Sequence, residues 1–383
     1  MTLRRVTASV DRSTGAVFQT FAGRDALLVS VLREAVRRDR EWHSKYQTTL
    51  AGLQPDAGTL GDLVADYVLE RSRSGSQAGA VLRDALVEHG EWPPETGEIV
   101  AAGRSMQHAF WKEILSDIPD PDAAAELIVT FVAMESVYAA VLYDDVGYRL
   151  LLRSTTAALV TRMMGSCPAA SAAMAWANMA IHPTELIEPD APTAQRLLRA
   201  TAAAIREEGM AALNLRRIAK LAKTSPSAIA YHFGDLDSFA DRAIEWALNS
   251  DVPPALRPWT RNPSKNAAET IAFLADMLDA SGPDEASPYR GFYISYARIV
   301  AQTCLMARQR RGLVRLVRQA RFFEGAGIFH ASHDSWPADL RLTRTAAAAF
   351  AIWIKGIALQ HTVGFPGSDD ITVCIQRAIE QVR

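Results

Sequence analysis

The chain has 383 residues, long enough for two or three ordinary domains that each bury a core without disulfides or metals. Apolar residues make up 49% and charged residues 22%, which fits a folded protein and excludes long disordered tracts. A formal net charge of -2 excludes a globally basic nucleic-acid binder, so any DNA contact has to come from a local patch.

At the N-terminus, Arg4 and Arg5 are not followed by an apolar run, so a secretory signal is not expected and a cytoplasmic location is. Further along, strand alternation closed by Asn-Gly or Asp-Gly turns is absent and helical spacing dominates. From Asp122 to Tyr143, Leu127, Phe131, Met134, Tyr138 and Val141 form one apolar helix face. A second helix follows with Leu152, Thr156, Leu159 and Met163. The apolar windows 127–143 and 345–360 are interrupted by Glu135 and Lys355, so they are expected as buried core helices and not as membrane spans.

Between Gly165 and Pro192 the prolines Pro168, Pro183, Pro189 and Pro192 forbid one continuous helix and predict a connector, with a short docked helix in Ala169 to Ile181. From Thr193 the helical pattern restarts. It closes, like the first half, on a helix pair: one around Asp339 to His361 and one carrying Ile371, Ile375, Ile379 and Val382. This parallel ending prompts a search for an internal repeat.

The second half opens with a helix predicted from about Thr193 to Glu208 and stopped by Gly209. Asn214 is placed to cap a short helix through Ala222, Thr224 and Ser225 supply the next cap, and Pro226 sits at a first helical position where its missing N–H costs nothing. Ser227 to Phe233 then forms a second short helix. Two short helices across a tight turn make a helix-turn-helix, whose second helix offers its N-terminal side chains to the major groove. Between Thr193 and Phe233, Arg196, Arg199, Arg206, Arg216, Arg217, Lys220 and Lys223 against Glu207 and Glu208 give a local excess of five positive charges. Such a patch attracts phosphates.

These residues, Leu215 to Ser225 and then Ser227 to Gly234 with the closing Tyr231, His232 and Phe233, resemble the TetR family of bacterial transcription regulators. The chain departs from the family pattern at Leu236, where the next helix usually starts with a basic residue, and at Ala230, where a tyrosine is often found. An offset of 212 residues leads from this motif to a second, weaker one in the first half. It pairs Thr2 with Asn214, Ser13 with Ser225, Thr20 with His232 and Phe21 with Phe233, and places the basic residue Arg24 against Leu236. No counterpart of Thr193 to Glu208 precedes Met1, so the first copy is expected to be truncated.

The resemblance implies an all-α protein of two fused TetR-like units. The expected division is a truncated head at 1–35, a first helical effector or dimerisation domain at 36–166, a connector at 167–192, a second head at 193–248 and a second helical domain at 249–383. The two C-terminal helix pairs are expected to pack as a four-helix interface, making an intramolecular pseudo-dimer, with further homodimerisation open. The expected partner is a double-stranded DNA operator. Contact residues are expected to be Asn214, Arg216, Arg217, Thr224, Ser225, Pro226, Ser227, Ala228, Tyr231 and His232 in the second head, and Arg4, Ser13, Thr14, Gly15, Phe18, Gln19, Thr20 and Arg24 in the first.

A small apolar effector is the implied ligand, with Phe110, Trp111, Met134 and Tyr138 in one half and Tyr293, Tyr296, Phe350 and Trp353 in the other as candidate lining; the same residues at helical spacing also suit plain core. Cys167, Cys304 and Cys374 lie far apart with no CxxC, so no metal or other cofactor is expected. His330 and His333 with Asp334 are read as an exposed loop, and the run Arg308, Arg310, Arg311, Arg315, Arg318 and Arg321 as a solvated basic helix face. No catalytic spacing of histidine, carboxylate and nucleophile occurs. Function is therefore expected to be ligand-responsive transcriptional repression; the alternative is a helical interaction or scaffold protein with degenerate heads.

Overall fold

Helix-forming sequence with well-placed caps produces a fold built on helices. A computed structural model describes residues 20–73, 77–88, 93, 95–161, 163–164, 171–180, 188–250, 252–253, 266–336, 341–361 and 371–382, and among these there is no strand. Arg4, Ser13, Thr14, Gly15, Phe18, Gln19, Cys167, Pro168 and Pro183 lie outside the described residues.

The first half contributes α1 (Arg24–Thr49), α2 (Ala57–Ser72), α3 (Gln77–Val87), α4 (Glu95–Ile114), α5 (Pro121–Leu142) and α6 (Val146–Thr161). Carboxylates start three of them, α6 through Asp145, which accepts the Tyr148 N–H at 2.9 Å. Asp56 accepts from the Thr59 N–H at 2.7 Å, and Asp120 accepts from Ala123 at 3.1 Å just ahead of Pro121. The boundary expected at residue 35 falls inside α1, so a single continuous helix would join head and helical domain on that side.

In the connector, α7 (Ala172–Ala180) packs on α6 and also reaches the second half, where the Trp176 ring meets Phe322 edge-on at 5.8 Å. The helix expected to dock on one half thus touches both. The second half runs through α8 (Pro192–Glu208), α9 (Leu215–Leu221), α10 (Pro226–Phe233), α11 (Leu236–Asn249), α12 (Ala267–Asp276), α13 (Phe292–Ala307), α14 (Val314–Phe323), α15 (Ala326–Ser335), α16 (Arg344–His361) and α17 (Ile371–Val382).

Two regions organise the core. Where α1, α2 and α4 meet, Trp42, His43, Tyr46, Tyr67, Phe110 and Trp111 interlock, with ring centroids 4.8 to 6.2 Å apart. Such edge and stacked contacts add to the area they bury. At the centre, α5 lies against α16, while α6 packs on α16 and α17. Among the described residues α5 is the one helix long and apolar enough to cross a membrane, and it is buried inside the fold. Its contact with α16 is close: a Cβ at Gly356 would stand 2.0 Å from the Thr130 carbonyl oxygen, so only glycine lets the two backbones approach.

The α5–α16 contact is polar at its heart. Arg321 of α14 is 1% exposed and donates Nε to Glu135 of α5 at 2.9 Å and Nη2 to Thr155 of α6 at 3.1 Å. Glu324, just past α14, accepts from both the Tyr138 hydroxyl and Lys355 Nζ, and Arg344 donates to the Phe322 carbonyl at 3.3 Å. Burial pushes the Lys355 ammonium below its usual range, against the opposing pull of Glu324.

The arginine run is a solvated face only in part: Arg308, Arg311 and Arg315 are exposed, Arg310 and Arg318 are half-buried and Arg321 is buried. It is spread over the end of α13, a 3-10 turn at Arg311–Leu313, and α14. Arg308 pairs with Asp84 at 2.7 Å, Arg310 with Asp241 at 2.6 Å, Arg315 with Glu245 at 3.4 Å and Arg318 with Asp145 at 3.0 Å, besides Arg321 with Glu135. Acids far away in sequence take up the charge. His330 and His333 also differ from expectation, since they stand on α15 and not in a loop. His333 is exposed, with Nε2 3.2 Å from the Leu342 carbonyl, and His330 is half-buried. No group of three metal-ligating side chains occurs among the described residues.

Candidate nucleic-acid interface

The second head is assembled on α8, which buries Leu197, Leu198, Ala202 and Ile205 against α11. This is the 3.6-residue spacing of an amphipathic helix. α8 ends at Gly209, whose φ of 76° lies in the left-handed region, and a Cβ there would meet Gln302 Oε1 at 2.6 Å. After one 3-10 turn, Asn214 Oδ1 accepts the Arg217 N–H at 3.2 Å and starts α9.

From α9 only Ile218 and Ala219 enter the core, leaving Arg216, Arg217, Lys220 and Leu221 outward. Residues 222–225 make the turn, with Lys223 in left-handed backbone (φ 51°) and the Thr224 N–H reaching back to Ala219 at 2.9 Å. Ser225 occupies the cap position of α10 but caps nothing with its side chain. Its hydroxyl instead lies 2.8 Å from that of Ser227, so the cap expected here is supplied by the backbone and by Pro226.

In α10, Ile229 is buried and Phe233 meets Phe239 of α11 at 5.0 Å, which pins the helix by its inner face. The outer face carries Ser225, Pro226 and Ser227, all exposed, and Tyr231, which is 85% exposed. Thr224, Ala228 and His232 are half-buried, the His232 ring lying edge-on to Tyr231 at 4.9 Å. A large aromatic ring held out in solvent on a helix of eight residues has no packing role.

Charge on this surface is sorted by local pairing. Arg217 is held by Glu208 through both guanidinium arms, which lowers the carboxyl of Glu208 and raises the guanidinium. Arg199 is paired with Glu188, and Arg196 donates Nη2 to Thr193 at 3.1 Å. Arg216, Lys220 and Lys223 are exposed and make no ion pair among the described residues. Lys220 and Lys223 enter the sequence argument only as members of a charge count. Here they flank the outer face of α10, as does the exposed Leu236. In the first half, Thr20 and Arg24 are exposed at the approach to α1.

The head is tied to the body through α13 and α14. Arg298 donates Nη2 to the carbonyls of Arg206 and Glu207 at 2.5 and 3.1 Å, capping the C-terminus of α8, and Gln302 accepts the Met210 N–H at 2.8 Å. Arg310 and Arg315 hold Asp241 and Glu245 of α11. Movement of α13 would therefore be transmitted to both ends of the head.

Of the eight residues expected to line an effector site, Phe110, Trp111, Met134, Tyr138, Tyr293, Phe350 and Trp353 are buried and Tyr296 is half-buried. Phe110 and Trp111 belong to the aromatic cluster. Phe350 and Trp353 stack at 5.6 Å, and Lys355 Nζ lies 4.9 Å from the Tyr296 ring. A cleft does open nearby, between α3, α4 and α5, and none of the eight lines it.

No curated protein and no solved structure matches the chain. Residues 197–242, the stretch from α8 through the helix-turn-helix into α11, match the family model described as bacterial regulatory proteins, tetR family. This segment is thus a DNA-binding domain of the TetR regulator type, carried by a chain that is all-α among the described residues.

Proposed function

We propose that the protein is a ligand-responsive repressor in which one chain acts as a pseudo-dimer of two TetR-like units, divided near residues 167–192. The observation that carries this reading is the packing of α5 and α6 on α16 and α17, the last two helices of each half, sealed by Gly356 on Thr130 and flanked by the buried pair of Glu135 on α5 with Arg321 on α14. A four-helix contact between equivalent ends is how two subunits of a symmetric helical dimer would meet. The 212-residue offset between the two motifs supports the same reading.

In this reading the second head supplies most of the affinity. Arg216, Lys220 and Lys223 approach phosphates, while Ser227, Tyr231 and His232 present themselves to base edges and backbone. Thr20 and Arg24, with Arg4, Ser13, Thr14, Gly15, Phe18 and Gln19, belong to the first head. An effector acts by shifting the population between head separations. Band shifts on genomic fragments over a series of salt concentrations test the reading. Affinity should fall steeply as salt rises, and a chain that binds no fragment at low salt would contradict it.

A further inference from the structure

The cleft on the first half has apolar walls, including Leu82, Val100 and Val132, and a polar lining of Arg71, Arg83, Arg104, Gln107, Ser136 and Gln360. Among the described residues no carboxylate lines it. The acids that balance the three arginines, Asp39 for Arg71, Asp84 for Arg83 and Glu126 for Arg104, all stand outside the lining. The cleft thus presents guanidinium groups whose carboxylate partners stand behind them and not in the lining.

Arg83 makes this specific. Its side chain is 6% exposed, and it gives Nε and Nη2 to Asp84 at 3.1 and 2.8 Å. Its remaining nitrogen, Nη1, has no hydrogen bond among the described residues, nor do the side chains of Gln107 and Ser136 in the same lining. Nη1 is not one of the buried atoms left without a partner, so solvent reaches it, and an anionic group seated there would replace water with a charge-assisted hydrogen bond.

We propose that this cleft binds a small apolar molecule ending in a carboxylate, its head on Arg83 and Gln107 and its chain between Leu82, Val100 and Val132. This deepens the ligand-responsive reading and rests on it, narrowing the effector from an apolar compound to an apolar acid. The site also reaches across the molecule. Gln360 belongs to α16, where its Oε1 lies 3.5 Å from the Thr130 hydroxyl of α5, so an occupant touches both sides of the contact between the halves. Occupancy would then bias how α5 and α16 sit together.

Calorimetric titration of the full chain with hexanoate and with its uncharged counterpart hexanamide tests the site. Hexanoate should bind at least about tenfold more tightly, as expected for a charge-assisted hydrogen bond. Val132→Trp, which fills the cleft, should abolish binding of both. Gln107→Leu, a milder change on a half-buried surface, should weaken hexanoate alone. Equal affinity for acid and amide, no binding of either, or hexanoate binding unchanged in folded Val132→Trp would overturn the proposal. Hexanoate binding without any change in DNA affinity would support the site and remove the effector reading, whereas no binding with DNA affinity intact would remove the site and leave the regulator.

Discussion

The helix-turn-helix around 214–233 and the arginine run at 308–321 are both rich in positive charge, yet they have opposite fates. On α9 and the following turn, Arg216, Lys220 and Lys223 stay exposed and unpaired among the described residues, available to a polyanion. From the end of α13 through α14, five of the six arginines each find an acid, and Arg321 is buried with Glu135 and Thr155. The difference lies in what surrounds each charge after folding. Charge density in a sequence says little about role until the acceptors are located.

The sharpest way to break this contrast is to remove one partner of the buried pair. Glu135→Leu strands Arg321 in the interior and should destabilise the chain by about 3–5 kcal/mol, whereas Glu135→Leu with Arg321→Leu should recover most of the loss. Denaturant unfolding measures both. A single-variant cost below about 1 kcal/mol would show that the interface does not depend on the pair.

His43 carries the contrast onto the pH axis. Burial, with the Arg71 charge beside it, pushes its imidazole from the ordinary 6.5 down to about 4, and its nitrogens sit 2.8 Å from the Tyr67 hydroxyl and 2.7 Å from the Asp39 carbonyl. The unfolded chain therefore binds the proton first as pH falls. Stability from the neutral ring is complete above about 6.5 and is lost progressively towards pH 4, by on the order of 3 kcal/mol. His43→Gln, compared with the parent by denaturant unfolding at each pH, should flatten that stretch of the profile. An unchanged pH dependence would refute the assignment.

Smaller effects are expected on the head. Tyr231→Ala and His232→Ala should each weaken operator binding by roughly 1–3 kcal/mol without loss of fold, because neither ring anchors α10 as Ile229 and Phe233 do. Smallest per residue are the phosphate contacts. Arg216→Ala, Lys220→Ala and Lys223→Ala should each lower the slope of log affinity against log salt by about 1, across all DNA sequences alike. Arg199→Ala should change it less, since Glu188 already occupies that guanidinium. Fluorescence anisotropy over a salt series separates the two classes.

Much of this was legible in the sequence because it is local. Asn214 as a cap, Gly209 as a stop and Pro226 at a helix start each act within one turn, and the apolar spacing of 122–143 and 345–360 announced buried helices. The fate of a charge run was not legible, because Asp84 lies 224 residues from Arg308 and Glu135 lies 186 from Arg321. The same holds for the cleft. Its lining includes Arg83, Gln107 and Gln360, polar side chains on three helices that no spacing rule connects. His330 and His333 were misplaced because Gly325 and Gly327 suggested a loop, whereas α15 starts directly after Gly325.

The central claim, that one chain serves where a regulator of this family would use two, is tested most directly by the mass of the complex on its DNA. Sedimentation of the chain with a footprinted operator fragment should give one chain per fragment, protecting two unlike half-sites of which the one under α10 is the more strongly specified. Two chains on a perfect palindrome, each contacting DNA through α10, would contradict the claim.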